Sequence, residues 1–285
     1  MKMNRSTSLF LPTIAAALAS GQAMAAVSYL DPFTDGVLRG GADNSGINWY
    51  DRSASSTIAA FSDNGAGTLN SSTLRFSTSI GNRGFVGVLT GGAITLGAPG
   101  DFITLSLSFR VGGTIANSAQ GFTYGLYSSN GTSITGDDTV DSDNDRGYRG
   151  QFATGTTASV GIVKEDNSAA GGLGTGTGTE SAAVGMSSST PVAIGTNDPH
   201  TASITLTYNS ATDLGITLMF DNATVAQGTS TVPYLSFDEV VFAQGGNNSL
   251  VIDNVSVTSN VPEPGSAALL LVALAGFAAR RNRRA

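Results

Sequence analysis

Apolar and polar residues alternate along the middle of the chain with a period of two, the repeat of an extended strand that buries one face. The longest run is Phe102 to Val111. Ile103, Leu105, Leu107, Phe109 and Val111 fall on one side, and Thr104, Ser106, Ser108 and Arg110 on the other. Phe122, Tyr124 and Leu126 repeat the pattern, as do Ile204, Leu206 and Tyr208, then Leu214, Ile216, Leu218 and Phe220. Residues Asn209 to Asp213 read as the hairpin loop between the last two runs. Leu74 to Ile80, with its even positions inward, Leu235 to Phe242 and Leu250 to Thr258 predict further strands. Val27 to Gly36 predicts an edge strand entering an Asp-Pro turn, and Ile47 to Asp51 follows it. No helical period of ordinary length occurs between residues 26 and 259. Short strands joined by turn residues predict an all-β fold, a two-sheet antiparallel jelly-roll-like sandwich.

The two ends break the pattern. Residues 1–25 carry Lys2 and Arg5, an apolar stretch from Leu9 to Ala19, then Ala23-Met24-Ala25. A basic start, a short apolar core and small residues at the last and third-last positions predict a secretory signal peptide, cut before Ala26. The other end reads Val261-Pro262-Glu263-Pro264-Gly265-Ser266, an apolar run from 267 to 279, then Arg280, Arg281, Asn282, Arg283 and Arg284. Two prolines stiffen the first part in an extended form. At about 1.5 Å per residue the apolar helix spans ~20 Å, which crosses a ~30 Å bilayer core only if flanking residues and arginine stems help.

This tail resembles the PEP-CTERM sorting signal, on the strength of Val261, Pro262, Glu263, Pro264, the apolar helix and Arg280, Arg281, Arg283 and Arg284. The resemblance implies recognition by a membrane transpeptidase, exosortase, which cuts near the Pro-Glu-Pro box. Those residues are then recognition elements and the cutting chemistry belongs to the exosortase. With the arginines kept cytoplasmic, the precursor sits in the inner membrane with its β-domain on the far side, and the mature form is at the cell surface or extracellular. The implied partners are the secretion translocon, signal peptidase and exosortase. Residues 26–259 form the β-sandwich domain and 260–285 the sorting signal. Asp31-Pro32-Phe33, Trp49, the long central strand and the pair Phe237-Asp238-Glu239-Val240 and Ile252-Asp253-Asn254-Val255 resemble the laminin-G or concanavalin A-like jelly rolls.

Charge narrows the partners. Six of the 14 basic residues lie in the two ends, and without them 8 basic residues face 21 acidic ones, a balance of −13. Such a surface repels phosphate backbones, which excludes nucleic acid, and suits cations or life outside the cell. With no cysteine and a single histidine, disulfides, thiolate chemistry and His-cluster metal sites are excluded. The 37 glycines are close to twice the usual ~7% and fit a turn-rich β protein. Residues 165–190 are so dominated by Gly, Ser and Thr that they predict a mobile loop.

Candidate chemistry is sparse. Asp141, Asp143 and Asp145 have the alternate spacing with which a loop wraps oxygens around Ca²⁺. Arg146 stands where an EF-hand needs glycine and Phe152 where it needs glutamate, so a calcium site would be of another type. The competing reading is a solvated turn with Arg146 and Arg149 neutralising its aspartates. Asp253 lies on the apolar side of its strand and is expected to bond turn amides or hydroxyls. Trp49, Tyr50, Tyr124, Tyr127, Tyr148 and Arg149 have the side chains that sugars stack on and bond to. Trp49 is expected in the core, and Tyr148 with Arg149 beside the acidic stretch are the more exposed ligand candidates for extracellular polysaccharide.

For catalysis, Glu165, Glu180, Glu239 and Glu263 form none of the paired sets of jelly-roll glycosidases. His200, beside Pro199, reads as solvated, and no Gly-x-Ser-x-Gly elbow accompanies it. The glycine run at 171–178 lacks the lysine and helix of a phosphate loop. The expectation is a non-enzymatic exported surface or matrix protein binding glycan or calcium and needing no other cofactor. The alternative is a polysaccharide-cleaving hydrolase or lyase on the same sandwich.

Overall fold

The computed structural model describes residues 27–40, 46–51, 60–61, 73–75, 83–112, 118–137, 144–154, 159–167, 179–181, 184–195, 197–244 and 249–261. The expected signal peptide, the Pro-Glu-Pro box and the apolar helix at 267–279 lie outside them, as does the strand expected from Leu74 beyond Arg75.

The described strands are β1 (Val27–Asp31), β2 (Ile47–Asp51), β3 (Ala60–Phe61), β4 (Thr73–Arg75), β5 (Arg83–Leu89) and β6 (Ile94–Thr95). Then come β7 (Phe102–Gly112), β8 (Ser118–Ser128), β9 (Arg146–Thr154), β10 (Val160–Asn167), β11 (Thr179–Ser181) and β12 (Gly185–Ser189). The last are β13 (His200–Ser210), β14 (Asp213–Phe220), β15 (Ala223–Ser230), β16 (Ser236–Phe237), β17 (Glu239–Gln244) and β18 (Ser249–Ser259). Among the described residues no helix occurs. Strands β10, β11 and β12 enter the stretch expected as a loop at 165–190. Glu165 is fully buried and Val184 packs into the core, which corrects the reach of that loop at both ends.

Two antiparallel sheets pack face to face. One runs β12-β15-β14-β13-β7-β18-β4-β3, with β1 also on β18, and the other β11-β10-β9-β8-β17-β5-β2. A two-stranded ribbon of β6 and β16 closes one edge of the core. The alternation in β7 decides its placement: Ile103, Leu105, Leu107, Phe109 and Val111 all enter the core, while Thr104, Ser106 and Ser108 stay half-exposed outside. Strands β13 and β14 behave alike and turn between Ser210 and Asp213.

Trp49 is fully buried, as its size predicts. It stacks on Phe242 at 5.4 Å and leans on Phe33 at 5.8 Å. Its indole N–H donates to Asp31 Oδ2 at 2.7 Å, while Asp31 Oδ1 accepts the Phe33 amide at 2.9 Å. One carboxylate thus fixes the Asp-Pro-Phe turn and the largest core side chain together. Gly87 faces Trp49 on β5, and a Cβ there would come 2.7 Å from the indole. Two tyrosines tie the sheets across the core. Tyr124 donates to the Ser203 carbonyl at 3.1 Å, and Tyr148 to Ser230 Oγ at 2.9 Å.

Candidate functional site

The seven-stranded sheet buries its inner face and, around Tyr127, part of its outer face, where several ionisable groups sit. On β8, Phe122, Tyr124 and Leu126 point to the core, so Thr123, Gly125 and Tyr127 point outward. The same parity puts Arg149 on β9, Glu165 on β10 and Glu239 and Val241 on β17 outward. The cover is the segment 129–137. At its start the Ser129 amide and hydroxyl both donate to Asp238, each at 2.7 Å. At its end Asp137 takes a two-pronged bond from Arg39 Nη2, at 2.6 and 2.7 Å, and the Asp51 amide at 2.9 Å. Between these pins Ile134 packs on Val86, Tyr127 and Val241.

Beneath the cover Tyr127 lies flat. A Cβ on Gly125 or on Gly147 would come 2.8 Å from its ring, so these two glycines make the lane in which the ring rests. The ring delivers its hydroxyl to Glu165 Oε2 at 2.7 Å, and Arg149 Nη1 reaches the same oxygen at 3.4 Å. All three side chains are sealed from solvent. Burial first, and then the neighbouring Glu165 charge, push the Tyr127 hydroxyl well above its ordinary range. This buried pair and its tyrosine fix where β8, β9 and β10 sit.

Glu239 opens β17 between Tyr127 of β8 and Val88 of β5. It is fully buried, with the Asp145 carboxyl and the Ile134 amide acting on it. Burial pushes its carboxyl up to about 10, and the neighbouring charges of Asp145 and Asp238 add to the effect. Asp145 is equally buried.

Several expected roles change. Tyr148 and Arg149, expected exposed, are buried at 0% and 1%. Tyr148 serves the inter-sheet tie and Arg149 the Glu165 pair, so neither offers a face to a sugar. Tyr124 and Tyr127 are sealed too. Asp145 is no solvated turn residue, and Arg146 lies over the Tyr234 ring at 4.7 Å instead of over the acidic stretch. Asp141 and Asp143 lie outside the described residues. His200 is not solvated: its ring packs 4.7 Å from Phe220 and its Nδ1 is 2.8 Å from Asp221 Oδ2. Asp253 is buried and accepts the Asn254 amide at 2.7 Å, as expected of a carboxylate serving a turn.

Sequence reasoning missed the Tyr127–Glu165–Arg149 network and Glu239. The signal for them was Gly125, on the side of its strand opposite Phe122, Tyr124 and Leu126, and a lone Ile134 in a polar stretch.

The outer face of the nine-stranded sheet differs in kind. Thr258, Thr104, Thr205 and Thr217 form one row across β18, β7, β13 and β14. Ser256, Ser106 and Ser203 form the next. A shallow groove of about 240 Å³ lies there, lined by Ser106, Ser108, Thr201, Ser203, Asn222 and Asn254 among others. Its polar groups are uncharged hydroxyls and amides.

The fold is similar to that of peanut lectin with a nine-residue peptide, at 14% identity over 82% of this chain and 97% of that one, with a TM-score of 0.48. It is also similar to the carbohydrate recognition domain of Emp47p (17% identity, 81% and 94% covered, TM-score 0.47). A protein of unknown function with a galectin-like fold from Bacillus subtilis is similar as well (11% identity, 80% and 94% covered, TM-score 0.46). No curated protein sequence matches the chain. Residues 260–284, which take in the box and all four arginines of the tail, match the PEP-CTERM protein-sorting motif, a signal that implies processing by exosortase and export to the cell surface from a membrane-anchored precursor.

Proposed function

We propose that the protein is a non-enzymatic component of the cell surface or extracellular matrix, freed from the membrane by exosortase, that presents its sandwich to extracellular polysaccharide. The observation that carries this reading is how the sorting motif joins the fold. Strand β18 is held by β7 on one side and by β1 and β4 on the other, and it ends at Ser259, within three residues of the Pro-Glu-Pro box. The junction is fastened. Ser259 Oγ donates to the Phe102 carbonyl at 2.7 Å, Asn260 Oδ1 accepts the Phe102 amide at 2.8 Å, and Asn260 Nδ2 donates to the Gly100 carbonyl at 3.1 Å. A cut at or beyond the box leaves the sandwich whole.

The same pole serves the other end. Val27, the first residue of β1, stands opposite Ser259 on the neighbouring strand, one strand spacing of about 5 Å away. A signal peptide removed before Ala26 would leave from beside the sorting signal. Both tethers then hold one pole to the membrane, and both cuts release the domain without breaking a strand.

Two features favour binding over turnover. Glycosidic cleavage needs two carboxyl groups flanking the substrate, whereas Glu165 and Glu239 are sealed from solvent. The groove on the neutral hydroxyl face offers Ser, Thr and Asn groups that match the donors and acceptors of an uncharged sugar chain.

Mass spectrometry of the protein from its exporting host, in strains with and without exosortase, tests the sorting half. A mature chain ending between Asn260 and the apolar helix, seen only with exosortase, is expected; an intact Arg284-Ala285 end overturns the reading. Retention on neutral polysaccharide, weakened by Ser203→Arg in the groove and accompanied by no new reducing ends, tests the other half.

A further inference from the structure

At one rim of the sandwich the inward-facing positions change from apolar to charged. On β9 they run Phe152, Gly150, Tyr148 and Arg146, and on β10 they run Val160, Ile162, Lys164 and Asp166. Lys164 stands opposite Tyr148, so on these two strands the apolar filling stops there. Tyr234 closes the rim. Its amide donates to the Tyr148 hydroxyl at 2.9 Å, and its own hydroxyl donates to Asp166 Oδ1 at 2.6 Å. Lys164 Nζ is 3.0 Å from the same Asp166 oxygen. Lys164 Nζ and Arg146 Cζ lie 4.4 and 4.7 Å from the centre of the Tyr234 ring.

Asp166 answers Lys164 and leaves Arg146 over. Among the described residues no carboxylate pairs with Arg146, and its Nε–H is enclosed without an acceptor. Arg39, Arg149 and Lys164 each have a carboxylate of their own. Enclosed donors in folded proteins find partners, and acids are not scarce in this chain: 21 acidic residues face 8 basic ones once the two ends are set aside. A guanidinium laid over an aromatic ring is held by its face and keeps its N–H groups at its edge, in the fork that fits a planar carboxylate. Arg146 and Tyr234 are both half-buried, so the pair reaches solvent, and Val232, two residues before Tyr234, is 71% exposed. A cation beside an exposed apolar side chain suits a ligand that carries a carboxylate on a ring with C–H faces. We propose that Arg146, stacked on Tyr234 at this rim, binds the carboxylate of an acidic sugar. The site rests on the polysaccharide reading for the class of polymer it meets, and extends that reading to uronate-bearing chains. It shares no residue with the groove on the nine-stranded sheet. A surface balance of −13 repels polyanions in general, so uptake of one reports a local site and not bulk charge.

The test titrates full-length protein in detergent with a fluorescent oligogalacturonate, and competes it with a neutral galactan oligosaccharide, inorganic sulfate and an oligoglutamate peptide. Wild type is expected to bind the oligogalacturonate, and none of the three competitors should displace it at equal concentration. Arg146→Gln should weaken binding roughly 10- to 100-fold, the loss expected for a charge-assisted pair. Arg146→Lys, which keeps the charge without the fork, should restore only part of it. Neither variant should change retention on neutral polysaccharide. A wild type that does not bind the oligogalacturonate overturns the proposal, whether or not the variants fold. Binding that survives Arg146→Gln overturns it as well, because the carboxylate then sits elsewhere. Displacement by sulfate or by oligoglutamate also overturns it, giving the site to small anions or to acidic peptides. Loss of oligogalacturonate binding with neutral retention intact removes this site alone, whereas uptake of the oligogalacturonate without neutral retention keeps it and removes the groove.

Discussion

Tyr127 shows how much one side chain depends on what its neighbours lack. Its ring lies across Gly125 and Gly147, and its hydroxyl donates to Glu165 beside Arg149. Tyr127→Phe keeps the ring and removes the donor, so it should cost about 1–3 kcal/mol, the range for leaving a buried acceptor short of a partner. Gly147→Ala should cost at least as much, because the added Cβ meets the Leu126 carbonyl as well as Tyr127 Cα at 2.8 Å. Chemical denaturation of both variants measures this, and a Gly147→Ala protein as stable as wild type would show that the ring does not rest there. The pH response of the cover can be read from Asp137. Partial burial works to raise its carboxyl, but the Arg39 fork and the Asp51 amide outweigh that and hold it below the ordinary 3.8. A depressed carboxylate contributes stability above its unfolded value and loses it as pH falls through the folded one. Stability from this pin should therefore fade below about pH 4, and Arg39→Gln should remove the fading. Both partners are exposed to water, so the effect stays under ~1 kcal/mol.

At the scale of elements, legibility followed from how many faces a strand buries. Strands β7, β13 and β14 bury one face, and their alternation placed every inward residue correctly. Strand β8 buries both, and a period of two cannot report a face covered by a segment that follows in sequence. Thr123, Gly125 and Tyr127 lie opposite the apolar side of β8, yet all three are buried, with Ile134 packed on Tyr127. The acidic character of 137–145 was plain, but its parts separate: Asp137 pins the cover outside and Asp145 turns inward against Glu239, a partner 94 positions further along the chain. Strand β18 carries an irregularity that its composition did hint at. The register on β7 shifts between Asp253 and Ser256, and Asn254 takes a φ of 49°, the left-handed region that asparagine tolerates. Asp253 Oδ1 accepts the Asn254 amide at this bulge. Asn254→Gly should leave stability nearly unchanged, whereas Asn254→Val should cost about 1–2 kcal/mol, because a β-branched residue resists that φ. Equal melting of the two variants would remove the bulge from the account.

For the whole molecule, the decisive relation is between the last strand and the signal behind it. The tail was legible because its residues act as a linear signal and need no fold to be recognised. What the sequence could not show is that the signal starts where the sandwich is fastened shut, with β1 beginning alongside. This sets a limit on processing. A protein ending after Val261 keeps the Ser259 bond to Phe102 and both Asn260 bonds, and also Ser259 Oγ accepting the Val261 amide at 3.0 Å. One ending after Thr258 loses all of these and the final rung opposite Val27. At about 1 kcal/mol per net hydrogen bond, the shorter protein should be less stable by roughly 3–4 kcal/mol. For a domain of this size that lowers Tm by roughly 6–16 °C. Asn260→Ala in the longer protein should by itself cause about half of the loss, since it removes two of the bonds and leaves the strand. If the two truncated proteins melt together, the junction holds nothing, and exosortase could cut inside β18 without harm. If they separate as expected, the fold itself sets the earliest point at which its membrane tether can be removed.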